Sequence, residues 1–136
     1  MKKIIIFCFL LFFTTGCSAL SRIVDSVIIF NDEPFSKDNF NQIKTNFYTG
    51  QRIYYLFASP KKLKTPYIRV QISSVVDKTH TLFYKPYWSS DYKLMKDEVY
   101  YYTDYVVIHS RGKYLMQIFR RDDLHHPLAF AFFVVN

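Results

Sequence analysis

Tyr67-Ile68-Arg69-Val70-Gln71-Ile72-Ser73-Ser74 decides the fold class, because aliphatic and polar side chains alternate along it with a period of two. Side chains of an extended strand point to opposite faces in turn, so Ile68, Val70 and Ile72 share one face and Arg69, Gln71 and Ser73 the other. The stretch reads as a strand with one buried side and one polar side. Before it, Pro60 and Pro66 fence a basic loop over residues 59–66, and Ile53-Tyr54-Tyr55-Leu56-Phe57-Ala58 reads as a strand buried on both faces. After it, residues 79–84 form the next strand, and Lys85-Pro86 with Ser89-Ser90-Asp91 mark a bend that carries Tyr87, Trp88 and Tyr92. Residues 99–108 are the most β-prone run, and two further strands at 113–120 and 128–135 flank a polar turn.

Composition agrees with a β protein. Tyr occurs 12 times and Phe 14 times against three glycines, and aromatic residues fit the half-buried pleated surface of a sheet. Residues 18–29 are ambiguous: Leu20, Ile23, Val24, Val27 and Ile28 follow helical spacing, whereas Val27-Ile28-Ile29-Phe30 would make a first strand. Asn31-Asp32-Glu33-Pro34 breaks that element, and residues 36–48 read as a long connection or a weak helix. Strands spaced about 10–15 residues apart, without amphipathic helices between them, predict an all-β chain folded as an antiparallel sandwich of about 6–8 strands.

Gly112-Lys113-Tyr114-Leu115-Met116-Gln117-Ile118-Phe119, a polar turn, and Leu128-Ala129-Phe130-Ala131-Phe132-Phe133-Val134-Val135 together resemble the last hairpin of bacterial immunoglobulin-like domains. The resemblance spans about the final 25 residues, and it implies fold without implying function.

At the other end, Met1-Lys2-Lys3 is followed by an apolar run over residues 4–13, about half of the ~20 residues that a membrane-spanning helix needs. Phe13-Thr14-Thr15-Gly16-Cys17 closes it. This segment resembles the signal and lipobox of bacterial lipoproteins, with Thr14 in place of the usual leucine. The resemblance implies cleavage before Cys17 and a diacylglyceryl group, with further acyl chains such as palmitate, on its thiol. Two or more acyl chains anchor a protein firmly, since each buried methylene contributes about 0.8 kcal/mol. By analogy with enterobacterial sorting, Ser18 in place of an aspartate favours the outer membrane. The expected organisation is a signal peptide over 1–16, a lipidated tether with a short helix or first strand over 17–30, and a β-sandwich over 31–136. Cleavage leaves 136 − 16 = 120 residues, the size of one domain.

Chemistry is sparse. Cys8 leaves with the signal and Cys17 is acylated, so no thiol remains for a disulfide or a thiolate nucleophile. Gly16, Gly50 and Gly112 are the only glycines, too few and too scattered for a phosphate loop or a nucleophile elbow. Asp123, His125 and His126 are the compact set of metal-ligand types, but Arg120 and Arg121 beside them would repel a cation, and a charged hairpin tip is the plainer reading. The acid pairs Asp32-Glu33 and Asp97-Glu98 read as solvated loops. No cofactor is expected.

Without Lys2 and Lys3 the formal charge falls from +7 to 7 − 2 = +5, an excess suited to anionic headgroups or an acidic partner. Nucleic acid is disfavoured, because an exported protein seldom meets it and the longest basic cluster, Lys61-Lys62-Leu63-Lys64, is short. That cluster reads as a solvated loop or as a headgroup or partner contact. The remaining candidate is an aromatic surface of Tyr87, Trp88, Tyr92 and Tyr101, with Tyr84, Tyr100, Tyr102 and Tyr105 near it in sequence; a core role competes with contact for all of them. The expectation is a non-catalytic lipid-anchored envelope protein that binds or tethers another envelope protein. The alternatives are a small hydrolase or metal-binding protein using the histidine turn, and a surface adhesin or inhibitor.

Overall fold

A computed structural model describes residues 26–98 and 100–136. They form β1 (Val27–Asn31), β2 (Asn46–Phe47), β3 (Arg52–Ala58), β4 (Tyr67–Lys78), β5 (Thr81–Lys93), β6 (Tyr101–Val107), β7 (Gly112–Arg120) and β8 (Ala129–Val135). Among the described residues there is no helix, and the fold is all-β. The signal segment, Cys17, residues 18–25 and Val99 lie outside the described residues.

The strands make a three-stranded sheet of order β1-β3-β6 and a five-stranded sheet of order β2-β8-β7-β4-β5. The period-two pattern does what the sequence requires of it: Ile68, Val70 and Ile72 are wholly buried, while Arg69 and Gln71 on the opposite face are not. Ile28, Phe30, Ile53, Tyr55 and Phe57 from the small sheet join Ile68, Val70, Ile72, Tyr114, Met116, Ile118 and Phe133 from the large one in a single buried cluster. Burying each such side chain contributes about 1.5–3 kcal/mol, so this shared core holds the two sheets together. At one end the seam is aromatic: the Phe30 ring lies 5.0 Å from Phe133 and 6.5 Å from Phe47, and Tyr114 stacks on Phe133 at 5.5 Å.

Three elements depart from the sequence reading. The connection over 36–48 is no helix but ends in β2, which pairs with β8 in parallel through Asn46–Val134 and Phe47–Val135, so the larger sheet is mixed. Phe47 drives this, being buried against Phe133. The bend expected around Pro86 is instead one continuous strand of 13 residues. β5 is the edge of its sheet, and an edge strand tolerates the missing proline N–H. Finally, β3 buries only Ile53, Tyr55 and Phe57; Tyr54, Leu56 and Ala58 stay half-exposed because, among the described residues, no further layer covers that side.

The domain has two distinct ends. Val27 pairs with Ala58, which sets Ser26 beside the basic loop that follows Ala58. Ser26, Ser59, Lys61, Pro127, Leu128 and Phe130 line one depression of about 420 Å3 there. At the far end, Gly50 donates its N–H to the Ile108 carbonyl at 2.8 Å, and Thr49 donates to the carbonyl of Asn136 at 3.1 Å. Gly50 adopts a φ of 78°, a conformation that glycine enters without a side-chain clash. β4 runs from the Ser26 end toward the far end, where β7 begins.

Candidate interaction surface

β4 outruns its sheet. Its last partner on β7 is Lys113, opposite Val75; beyond that point Val76, Asp77 and Lys78 pair only with Phe83, Leu82 and Thr81 of β5. A two-stranded ribbon therefore projects past the far end of the domain. An isolated ribbon of this kind is marginal in water, so its side chains gain little from folding and are available to another surface. Directly paired residues share a face, which puts Val76 with Phe83 on one side and Val75 with Tyr84 on the other. Leu82, Phe83 and Tyr84 are each about half exposed (50%, 52% and 48%), which is unusual for three consecutive apolar residues in a strand.

The ribbon turns through Thr79 and His80, with φ of 51° and 65°. Two consecutive residues in the left-handed region are the geometry of the tightest hairpins, normally filled by Asn-Gly. A β-branched threonine there is strained by about 1–3 kcal/mol, and strain of this kind concentrates at working sites.

Among the described residues, the outer edge of β5 has no strand neighbour. Its pairing capacity is interrupted midway: Ile72 faces Trp88 and Ser73 faces Pro86, so Tyr87 is an extra residue in a bulge, next to a proline that cannot donate. Side chains rather than a long added strand are thus what this edge offers. Tyr87 packs edge-on to Tyr114 at 5.3 Å, and Trp88 remains 36% exposed.

On the side of the large sheet away from the core, Leu115, Phe130, Phe132, Tyr84, Gln71 and Gln117 line an open groove of about 440 Å3. Gln71 and Gln117 pair across the strands, Phe130 and Phe132 meet edge-on at 6.4 Å, and the Lys113 ammonium sits 4.9 Å from the Phe132 ring centroid. Phe130 is 62% exposed. Through Tyr84 the groove continues onto the ribbon, so apolar surface runs from the sheet face to the projecting tip. No protein-family model matches this chain, and no curated protein matches it.

The aromatic residues singled out in the sequence do not form one patch. Tyr87 and Trp88 lie together on β5. Tyr92 is half-buried against the core, its ring 5.1 Å from that of Tyr102. Tyr101 is exposed on β6 in the other sheet, while Tyr102, one residue on, is buried. Leu82, Phe83, Phe130 and Phe132 were missed because a run of apolar residues in a strand normally signals covered faces. The available signal was that Leu82-Phe83-Tyr84 follows Asp77-Lys78-Thr79-His80, a run too polar to sit under a second sheet.

Asp123, His125 and His126 lie in the β7–β8 connection. The Asp123 carboxylate accepts the backbone N–H of His125 at 3.1 Å and meets His126 Nδ1 at 3.1 Å. The His126 contact, then these backbone bonds, hold the Asp123 carboxyl below its usual range, and its oxygens organise the turn. Among the described residues, no three His, Cys, Asp or Glu side chains gather to hold a metal ion. In the core, the Tyr102 hydroxyl donates to Asp104 at 3.2 Å, whereas the buried Tyr55 hydroxyl has no hydrogen-bond partner among the described residues. Burial, followed by neighbouring Tyr102 for one and Asp104 for the other, pushes both phenols far above their ordinary range, so they stay protonated.

β5 is tied to its sheet by charge. Asp91 accepts two bonds from Arg69, at 2.7 and 3.0 Å, and meets Arg121 at 3.1 Å. The Arg69 hydrogen bonds lower the Asp91 carboxyl below the usual carboxylate range. A lowered folded-state value means that the stabilisation is complete above about pH 4, the unfolded value, and is lost as pH falls through the folded one. Asp91→Asn is therefore expected to melt below the parent at neutral pH and to converge with it in acid, measured by thermal denaturation across a pH series.

Proposed function

We propose that this chain is a lipid-anchored protein of the bacterial envelope that holds a protein partner on the β4–β5 ribbon, without catalysis. Its body is read as an immunoglobulin-like β-sandwich: two sheets share one core, and the glycine-to-valine terminal hairpin forms β7 and β8 in the larger one. The observation that carries the reading is polarity. The chain enters the domain at Ser26, nine positions after Cys17, while the aromatic ribbon projects from the opposite end. An anchor at one end and an exposed apolar arm at the other suit a tether. Among the described residues, no helix is long and apolar enough to cross a membrane. Ser18 favours the outer membrane in this reading.

The anchor is tested in cells fed an alkyne-bearing palmitate analogue. The parent chain is expected to incorporate the label, and its mass should show loss of residues 1–16 and a diacylglyceryl group on Cys17. Cys17→Ser should remain unlabelled. An unmodified thiol at Cys17 in the parent sinks the proposal.

A further inference from the structure

We infer that the loop after β3 is a docking surface for anionic phospholipid headgroups, which sets the domain upright on its membrane with the ribbon pointing away. The inference rests on the lipid anchor proposed above and adds an orientation to it. Lys61, Lys62 and Lys64 are all exposed, whereas Leu63 between them is buried, only 8% exposed, and joins the core cluster. That single apolar residue fastens the loop, so the lysines stand on a held platform instead of a loose strap. The platform is tightened further by Ser59, whose hydroxyl donates to the Lys61 carbonyl at 2.8 Å, and by Thr65, whose hydroxyl donates to the carbonyl of Tyr67 at 2.8 Å.

Position supplies the occupant. The β1–β3 register places this loop at the point where the chain leaves toward Cys17, and Ser26 and Lys61 line the same depression. Nine residues reach at most about 30 Å, so a lipidated Cys17 holds this end of the domain near the bilayer. Charge supplies the attraction. Among the described residues, Lys61, Lys62 and Lys64 make no salt bridge. Of the acids at the same end, Asp122 is paired with Arg120 at 2.7 Å and Asp123 lies against His126, while the charges of Asp97 and Glu98 are offset by Lys93 and Lys96 in the same stretch of chain. Each lysine near an anionic surface multiplies the docked population about fivefold, and the attraction fades beyond a Debye length. Exposed Phe130 in the same depression adds an apolar contact at headgroup depth.

The test uses the lipidated full-length product, reconstituted in vesicles and treated briefly with an amine-acetylating reagent, with each lysine then read by mass spectrometry. In vesicles containing phosphatidylglycerol, Lys61, Lys62 and Lys64 are expected to react at least about fivefold more slowly than in pure phosphatidylcholine vesicles, with the difference removed by high salt. Lys78 and Lys85 on the ribbon should react equally in both. Equal rates at Lys61, Lys62 and Lys64 in the two lipids overturn the inference, as does protection of Lys78 and Lys85 in their place. The intact mass of the same sample reports whether Cys17 is acylated, so loss of the anchor and loss of the docking are separate outcomes.

Discussion

Phe133→Ala is expected to destabilise the domain by about 3–5 kcal/mol, against a total of about 5–15 kcal/mol for a domain of this size. The ring is 1% exposed and is the point where three other rings meet: Phe30 from the small sheet at 5.0 Å, Phe47 at 6.3 Å and Tyr114 at 5.5 Å. Its removal leaves a cavity that rigid neighbouring rings cannot refill, and it takes away the support for the parallel β2–β8 pair. Phe132→Ala, one residue earlier, removes the same number of atoms from the open groove and is expected to cost far less, about 1 kcal/mol. Chemical denaturation of both variants checks the contrast. Similar losses at the two positions would mean that something covers the groove as completely as the core is covered.

The second large effect concerns binding. With a photoreactive residue in place of Phe83, cross-linking in intact cells is expected to join the protein to one envelope protein. The same reporter in place of Tyr101, exposed on the other sheet, should give no such product. Adding Leu82→Ser and Trp88→Ala to the Phe83 reporter should reduce the adduct at least about tenfold, since buried aromatic anchors each contribute about 2 kcal/mol or more at an interface. Both side chains are at least one-third exposed, at 50% and 36%, so the melting temperature should move little. An adduct of equal yield from Tyr101 would move the interface to the small sheet. A collapse in stability without loss of the adduct would return Trp88 to the core.

Much of the β architecture was legible as periodicity. Ile68-Arg69-Val70-Gln71-Ile72 contains its own burial, because alternation along a strand is a local property and one buried face follows from it. The same holds for Tyr101 outside and Tyr102 inside. Tyr92 was not legible: it has the same composition-level credentials as Trp88, and both pair with buried residues of β4, yet Tyr92 packs against the core cluster while Trp88 stays 36% exposed. Phe47 likewise gave no local sign that it would reach Val135 across the chain.

By itself the amino-acid order determined a β-rich body, the buried face of β4, and a lipobox-like start that carries the expectation of an anchor. Tertiary structure alone decided that β4 and β5 outrun their neighbours, that the mobile-looking basic loop is pinned through Leu63, and that these two features occupy opposite ends. The physical reason is range. Side-chain alternation is set within a few residues, whereas exposure depends on where a different strand, distant in the chain, happens to stop.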